Sequence, residues 1–103
     1  MEIATFAVIY RWRVKEGSET VFRTAWHRMT ERIYAVRKSF GSRLHIEPDG
    51  TYCAIALWPS REAWEATEPP LNDAEDQRYL QESIVERLPT LTMELVDDLW
   101  SMP

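Results

Sequence analysis

Only one cysteine, three glycines and two histidines occur among the 103 residues. A single thiol, Cys53, excludes an internal disulfide and any multi-cysteine metal site, and it suits a reducing cytoplasm. No unbroken apolar run is long enough to cross a bilayer, because the opening "MEIATFAVIYRWRV" turns from apolar residues to an alternation with arginine. That opening also lacks the basic start and small-residue cleavage site of a secretory leader, so a cytoplasmic protein without a membrane partner is expected. A cationic excess is missing too. The net charge is −5, which argues against a nucleic-acid partner, since such binding needs cations to displace phosphate counterions.

What is present is the balance of a globular chain: 45% hydrophobic and 28% charged residues, with length for one core, so residues 1–103 are expected to form a single domain. The charges are unevenly placed. Residues 1–52 hold nine Lys/Arg and six Asp/Glu, and residues 53–103 hold three and eleven. Internal pairing between the two halves is the simplest reading.

Residues 5–14 alternate as a strand and are apolar on both parities. Gly17 and Ser18 then mark a turn and an N-cap. Val21, Phe22, Ala25, Trp26, Met29, Ile33 and Val36 recur at helical spacing, with Lys38 and Gly41 at the far end. Asp49-Gly50 predicts a two-residue hairpin that sets Glu47 opposite Tyr52, Ile46 opposite Cys53 and His45 opposite Ala54. Ser60 caps a short helix to about Thr67, and Asn72 with Glu75 opens a third whose stripe is Leu80, Ile84 and Leu88. A last strand is expected over roughly Thr90 to Val96.

This order predicts an α+β, ferredoxin-like fold: a split βαβ, four-stranded antiparallel sheet with its helices on one face. The aliphatic set Ala7, Ile9, Leu44, Ile46, Cys53, Ile55 and Leu57 is expected beneath the helices. The opposite face then carries Phe6, Val8, Tyr10, Trp12, Tyr52, Ala54, Ala56 and Trp58, too apolar to stay in water. A homodimer through that open face is expected, with space between the sheets beside Ala54 and Ala56.

At "VKEGSETVF" and "ALWPSREAWEA" the chain resembles the antibiotic biosynthesis monooxygenase family. The first matches the family's turn between opening strand and first helix. The second matches its strand-ending tryptophan, serine cap and short helix. The resemblance covers nearly the whole chain and implies a dimeric α/β barrel with a pocket in each subunit. It also implies oxygenation of polyphenols or quinols without a cofactor, or haem degradation as in a sister branch. The family's Ala-His pair is Ala66-Thr67 here. The tryptophan and histidine of the haem-degrading branch correspond to Thr67 and roughly Gln77, and an asparagine expected on the first strand is absent.

Cofactor-free oxygenation needs an electron-rich substrate, a group to take its proton and a dry pocket. His45 is the candidate base, since imidazole titrates near neutrality. Tyr10 and Arg43 are candidates to stabilise the anion. Trp12, Tyr52, Ala54, Ala56, Trp58 and Trp64 are candidates to wall a pocket for a flat aromatic molecule. No metal site is expected, because His27 and Glu31 read as a solvated i,i+4 pair. Cys53 reads as an inert buried thiol. The competing reading is a non-catalytic binding or structural dimer in which the same rings form a packed interface.

Overall fold

The alternating apolar opening forms β1 (Phe6–Val14), the central strand. It is followed by α1 (Glu19–Arg37), β2 (Ser42–Ile46), β3 (Tyr52–Trp58), α2 (Arg61–Glu65), α3 (Ala74–Ser83), β4 (Ile84–Arg87) and β5 (Leu91–Glu94). The computed structural model describes residues 4–37, 39–66 and 74–99. The expected roles of Lys38, Thr67 and Asn72 fall outside them, as does that of the Val36 side chain. The sheet runs β2-β3-β1-β4, with β5 also on β1, and its pairings are antiparallel. This is the ferredoxin-like α+β arrangement.

The fourth sheet position is shared. β4 pairs with the far half of β1 and β5 with its near half. Pro89 falls at the break, where a residue without an N–H interrupts a ladder. The third helix accordingly stops at Ser83, and Ile84 belongs to a strand instead of the helical stripe expected from its spacing. Short apolar runs fit both periods, and here the unpaired edge of β1 decided between them.

The hairpin corrects a second expectation. Glu47 N–H donates to Thr51 O at 2.7 Å and Gly50 N–H to Glu47 O at 2.9 Å, with Gly50 at φ +92°. The loop is therefore Pro48-Asp49-Gly50: a type I turn with proline preset at its first central position, closed by a left-handed glycine. One more loop residue than expected slips the register by one, so Ile46 faces Tyr52, Leu44 faces Ala54 and His45 faces Cys53. Such a slip turns every side chain of β2 to the other face.

The third correction concerns the faces themselves. Phe6, Val8, Trp12, Tyr52, Ala54, Ala56 and Trp58 are buried, in clusters that include Phe22, Ala25, Trp26, Met29 and Ile33 of α1 and Leu80 of α3. The aromatic face thus lies beneath the helices. The open side carries Ala7, Ile9, Cys53, Ile55 and Leu57 from the core strands, with Leu91 and Met93 of β5 beside them. Leu57, Leu91 and Met93 are 40%, 52% and 46% exposed. Rings bury more area per residue than aliphatic chains, and Ala54 and Ala56 leave room for the rings of α1 to seat on the sheet. Cys53 accordingly lies on the open side and is only half-buried.

The charge asymmetry is satisfied inside the chain. Arg32 Nη1 and Arg28 Nε of α1 lie 2.7 and 3.4 Å from the buried Asp76 Oδ2 of α3. Glu94 Oε1 lies 3.9 Å from Arg61 Nε of the same chain. Ser60 caps α2 as expected, accepting from Ala63 N–H at 3.1 Å. His27 and Glu31 pair at 2.7 Å, both largely in solvent.

Phe22 is fully buried and joins α1 to Trp12 and Tyr52, at ring-centroid distances of 5.3 and 5.2 Å. Phe22→Ala is expected to cost about 3–5 kcal/mol, read as a lowered urea midpoint at unchanged m-value.

Candidate functional site

β2 is the edge of the sheet, and α1 crosses beside it. Between them runs an open groove of about 960 Å³, lined by Thr20, Arg23, Thr24, Trp26, His27 and Arg28 of α1, by Ser42–Ile46 of β2, and by Tyr52 of β3. The local sequence explains its construction. Trp26 sits at the margin of the buried helical stripe, half covered, while Arg23 and His27 lie on the exposed flank. On β2, the true register puts Leu44 and Ile46 on the helix side and leaves Arg43 and His45 on the outward parity. An apolar floor of Trp26, Leu44 and Tyr52 is thereby bordered by cations from both walls. A concave surface with an apolar lining and a few polar groups is the usual form of a small-molecule site.

The floor continues into the core. From Tyr52 the rings run through Phe22 to Trp12, and Trp12 stacks on Tyr10 with centroids 5.9 Å apart and planes 14° from parallel. Tyr10 Oη accepts from Trp64 Nε1 at 3.0 Å, and Trp64 lies 5.7 Å from Phe6, over which Arg61 sits at 4.7 Å. Burial raises the Tyr10 phenol above its ordinary value, against the smaller opposing effect of the Trp64 bond. Tyr10 is therefore neutral at physiological pH. Trp58 Nε1 is buried and has no hydrogen-bond partner among the described residues; an unpaired buried donor of this kind carries a desolvation cost.

The structure divides the predicted site residues into two groups. Tyr10, Trp12, Tyr52, Ala54, Ala56, Trp58 and Trp64 gather on the helix side of the sheet, split between two adjoining clusters that Tyr10 bridges. His45 and Arg43 line the groove at the sheet edge, and Tyr52 belongs to both groups. Ala54 and Ala56, expected to open a space between two sheets, are packed under the helices. The site residues missed by sequence reasoning are Arg23, Trp26 and Leu44. Trp26 at the edge of a helical stripe was the available signal, but which strand lies beside it depends on the fold.

On the open side, Arg11 holds Glu47 through two bonds of 2.7 Å. The guanidinium keeps the Glu47 carboxyl below its ordinary 4.5, and the Thr51 N–H does the same for Asp49 at the hairpin tip. Among the described residues no group of three or more His, Cys, Asp and Glu side chains is placed to hold a metal ion, and no helix is long and apolar enough to cross a membrane.

No family model matches the sequence, and no curated protein does so either. Solved structures do match its fold. SnoaB of Streptomyces nogalater, a cofactor-independent oxygenase, superposes with a TM-score of 0.73 at 16% identity, over 94% of this chain and 98% of that one. A candidate antibiotic biosynthesis monooxygenase of Caulobacter crescentus CB15 gives 0.74 at 11% identity, covering 91% and 92%. A dimeric ferredoxin-like protein from an uncultured marine organism gives 0.77 at 8% identity, covering 97% and 95%. The fold of this chain is the one these proteins share.

Two outcomes test the site's scaffold. Tyr10→Phe strands the Trp64 N–H and is expected to cost about 1–3 kcal/mol, together with a change in tryptophan emission. A carboxyl with a lower pKa folded than unfolded adds stability that is full above the unfolded value and is lost as pH falls through the folded one. Stability is therefore expected to decline below the ordinary Glu47 value of 4.5, and Arg11→Met to flatten that acid limb in urea titrations from pH 7 to 3.

Proposed function

We propose that this protein belongs to the antibiotic biosynthesis monooxygenase family and acts, as a homodimer, on a flat aromatic or quinol-like molecule bound in the groove between α1 and β2. The observation that carries this reading is the groove itself: an apolar floor of Trp26, Leu44 and Tyr52 with the imidazole-bearing His45 at its wall. It occurs in a chain with the fold of a cofactor-independent oxygenase.

In this reading the ring lies on the floor, and His45 takes the substrate's acidic proton, with Tyr52 donating to the resulting oxyanion. The anion passes one electron to O2, and the carbon radical and superoxide combine into a C–O bond. Loss of water then leaves a carbonyl, so that one oxygen atom ends in the product and the other in water. The protein supplies positioning, proton transfer and exclusion of solvent, which suffice when the substrate anion is itself the reductant. The core rings from Tyr10 to Trp64 form the rigid wall behind the floor.

The open side of the sheet supports the dimer. Ala7, Ile9, Ile55, Leu57, Leu91 and Met93 form a contiguous apolar strip in which Leu57, Leu91 and Met93 are exposed, the kind of surface that favours a partner. Face-to-face pairing of two such strips buries it and closes a barrel. In this reading the interface lies on the open side, as expected from sequence, but is formed by the opposite residues.

Oxygen uptake with a panel of naphthols, anthrones and quinols tests the reaction. Turnover of at least one is expected, with His45→Gln slower by about 10²–10⁴-fold. Tight binding with no uptake across the panel would instead identify a binding protein. Sedimentation is expected to give a dimer at micromolar concentration, and Ile55→Asp with Met93→Asp a monomer; a wild-type monomer would remove the interface.

A further inference from the structure

The groove is electrostatically unlike the rest of the molecule. The chain carries 17 carboxylates against 12 Lys/Arg, yet among the described residues the groove's lining includes three arginines and two histidines and not one Asp or Glu. Arg28, within the groove, is matched with Asp76; outside it Arg11 is matched with Glu47, Arg13 with Glu86, Arg32 with Asp76 and Arg61 with Glu65 and Glu94, whereas Arg78 and Arg87 have no ion pair among the described residues. Arg23 and Arg43 have no carboxylate partner among the described residues. Both border the groove, Arg23 from α1 and Arg43 from β2, where the edge position brings an outward-parity residue to the groove's rim. Two arginines without a carboxylate partner, bordering one groove floored by Trp26, Leu44 and Tyr52, suit a ligand that is flat at one end and anionic at the other. Guanidinium binds carboxylate through paired, charge-assisted bonds and stacks on ring faces. At about 960 Å³, the groove also has more room than one ring system needs, on the scale of small-ligand sites.

We propose that Arg23 and Arg43 form a carboxylate subsite, so that the groove selects aromatic carboxylates over neutral aromatics of the same shape. This inference rests on the reading of the groove as the substrate site and names the substrate class within it. The carboxylate undergoes no chemistry. It anchors one end of the ring system and thereby sets which ring carbon lies near His45. Binding energy from such a remote group is useful for orientation at the reacting centre.

The test is calorimetric titration of the full chain with 2-naphthoate and with 2-naphthamide, which differ in charge and hardly in shape. Naphthoate is expected to bind at least about tenfold more tightly, the scale of one charge-assisted pair in a partly exposed site. Arg23→Gln and Arg43→Gln are each expected to remove most of that preference, weakening naphthoate binding severalfold more than naphthamide binding. Arg87→Gln, on the far edge of the sheet, is expected to keep it. Equal affinity for the two compounds, or a preference indifferent to Arg23 and Arg43, would overturn the subsite. So would an equal loss in Arg87→Gln, which would mean a diffuse field. If neutral quinols are still oxidised in those cases, the oxygenase reading stands and the carboxylate inference alone falls. If naphthamide does not bind and no quinol is consumed, both fall together.

Discussion

The seating of α1 on the aromatic side of β1 and β3 is the contact on which the rest of this structure depends. Phe22 and Ala25 enter a surface built from Trp12, Tyr52 and Ala54, and the two small residues meet large ones across the layer. Interiors pack at crystal-like density, so rings of this size need opposing positions that are small. Had the helix covered the aliphatic side, the rings of both layers would have been left without partners. That one choice sets which strip of the sheet remains open. It also sets where Tyr10 and Trp64 meet, and it fixes how α1 stands beside the edge strand.

Electrostatics then finish what packing begins. Arg28 and Arg32 share the buried Asp76 and tie α1 to α3. A buried carboxylate needs such partners, because leaving it unpaired in a low-dielectric interior is far costlier than pairing it. With α1 held from that side, its other flank turns Arg23 and His27 toward β2, where no acidic residue among those described lines the groove. The same helix is thus tied to α3 through Arg28 and Arg32 and keeps Arg23 without a carboxylate partner at the groove. A groove so made combines an apolar floor with unmatched positive charge, and the functional and ligand readings both derive from that combination.

The hairpin shows how small a local detail can relocate a site. With a two-residue loop, His45 would share a face with Ala54 and the aromatic strip. Pro48 joins the turn as its first central residue, and the slip of one position carries His45 to the side of Cys53 and Leu44 to the side of Ala54. His45 therefore remains a groove residue only because β2 is an edge strand, where both parities border solvent.

From sequence alone, the alternation of residues 5–14, the helical stripe from Phe22 to Ile33, the Ser60 cap and the order of elements determined the ferredoxin-like arrangement, because periodicity and capping are properties of neighbouring residues. The pairing of a basic first helix with an acidic third was also legible, since charge is written residue by residue. Which of two apolar faces the helices would cover was not, for both faces alternate equally well and only the volumes of side chains from distant segments distinguish them. The end of α3 at Ser83 was likewise decided by the vacant edge of β1, and the company of Trp26, Arg23 and Leu44 by the crossing of a helix over an edge strand. Those are relations between parts of the chain far apart in sequence, and they exist only once it has folded.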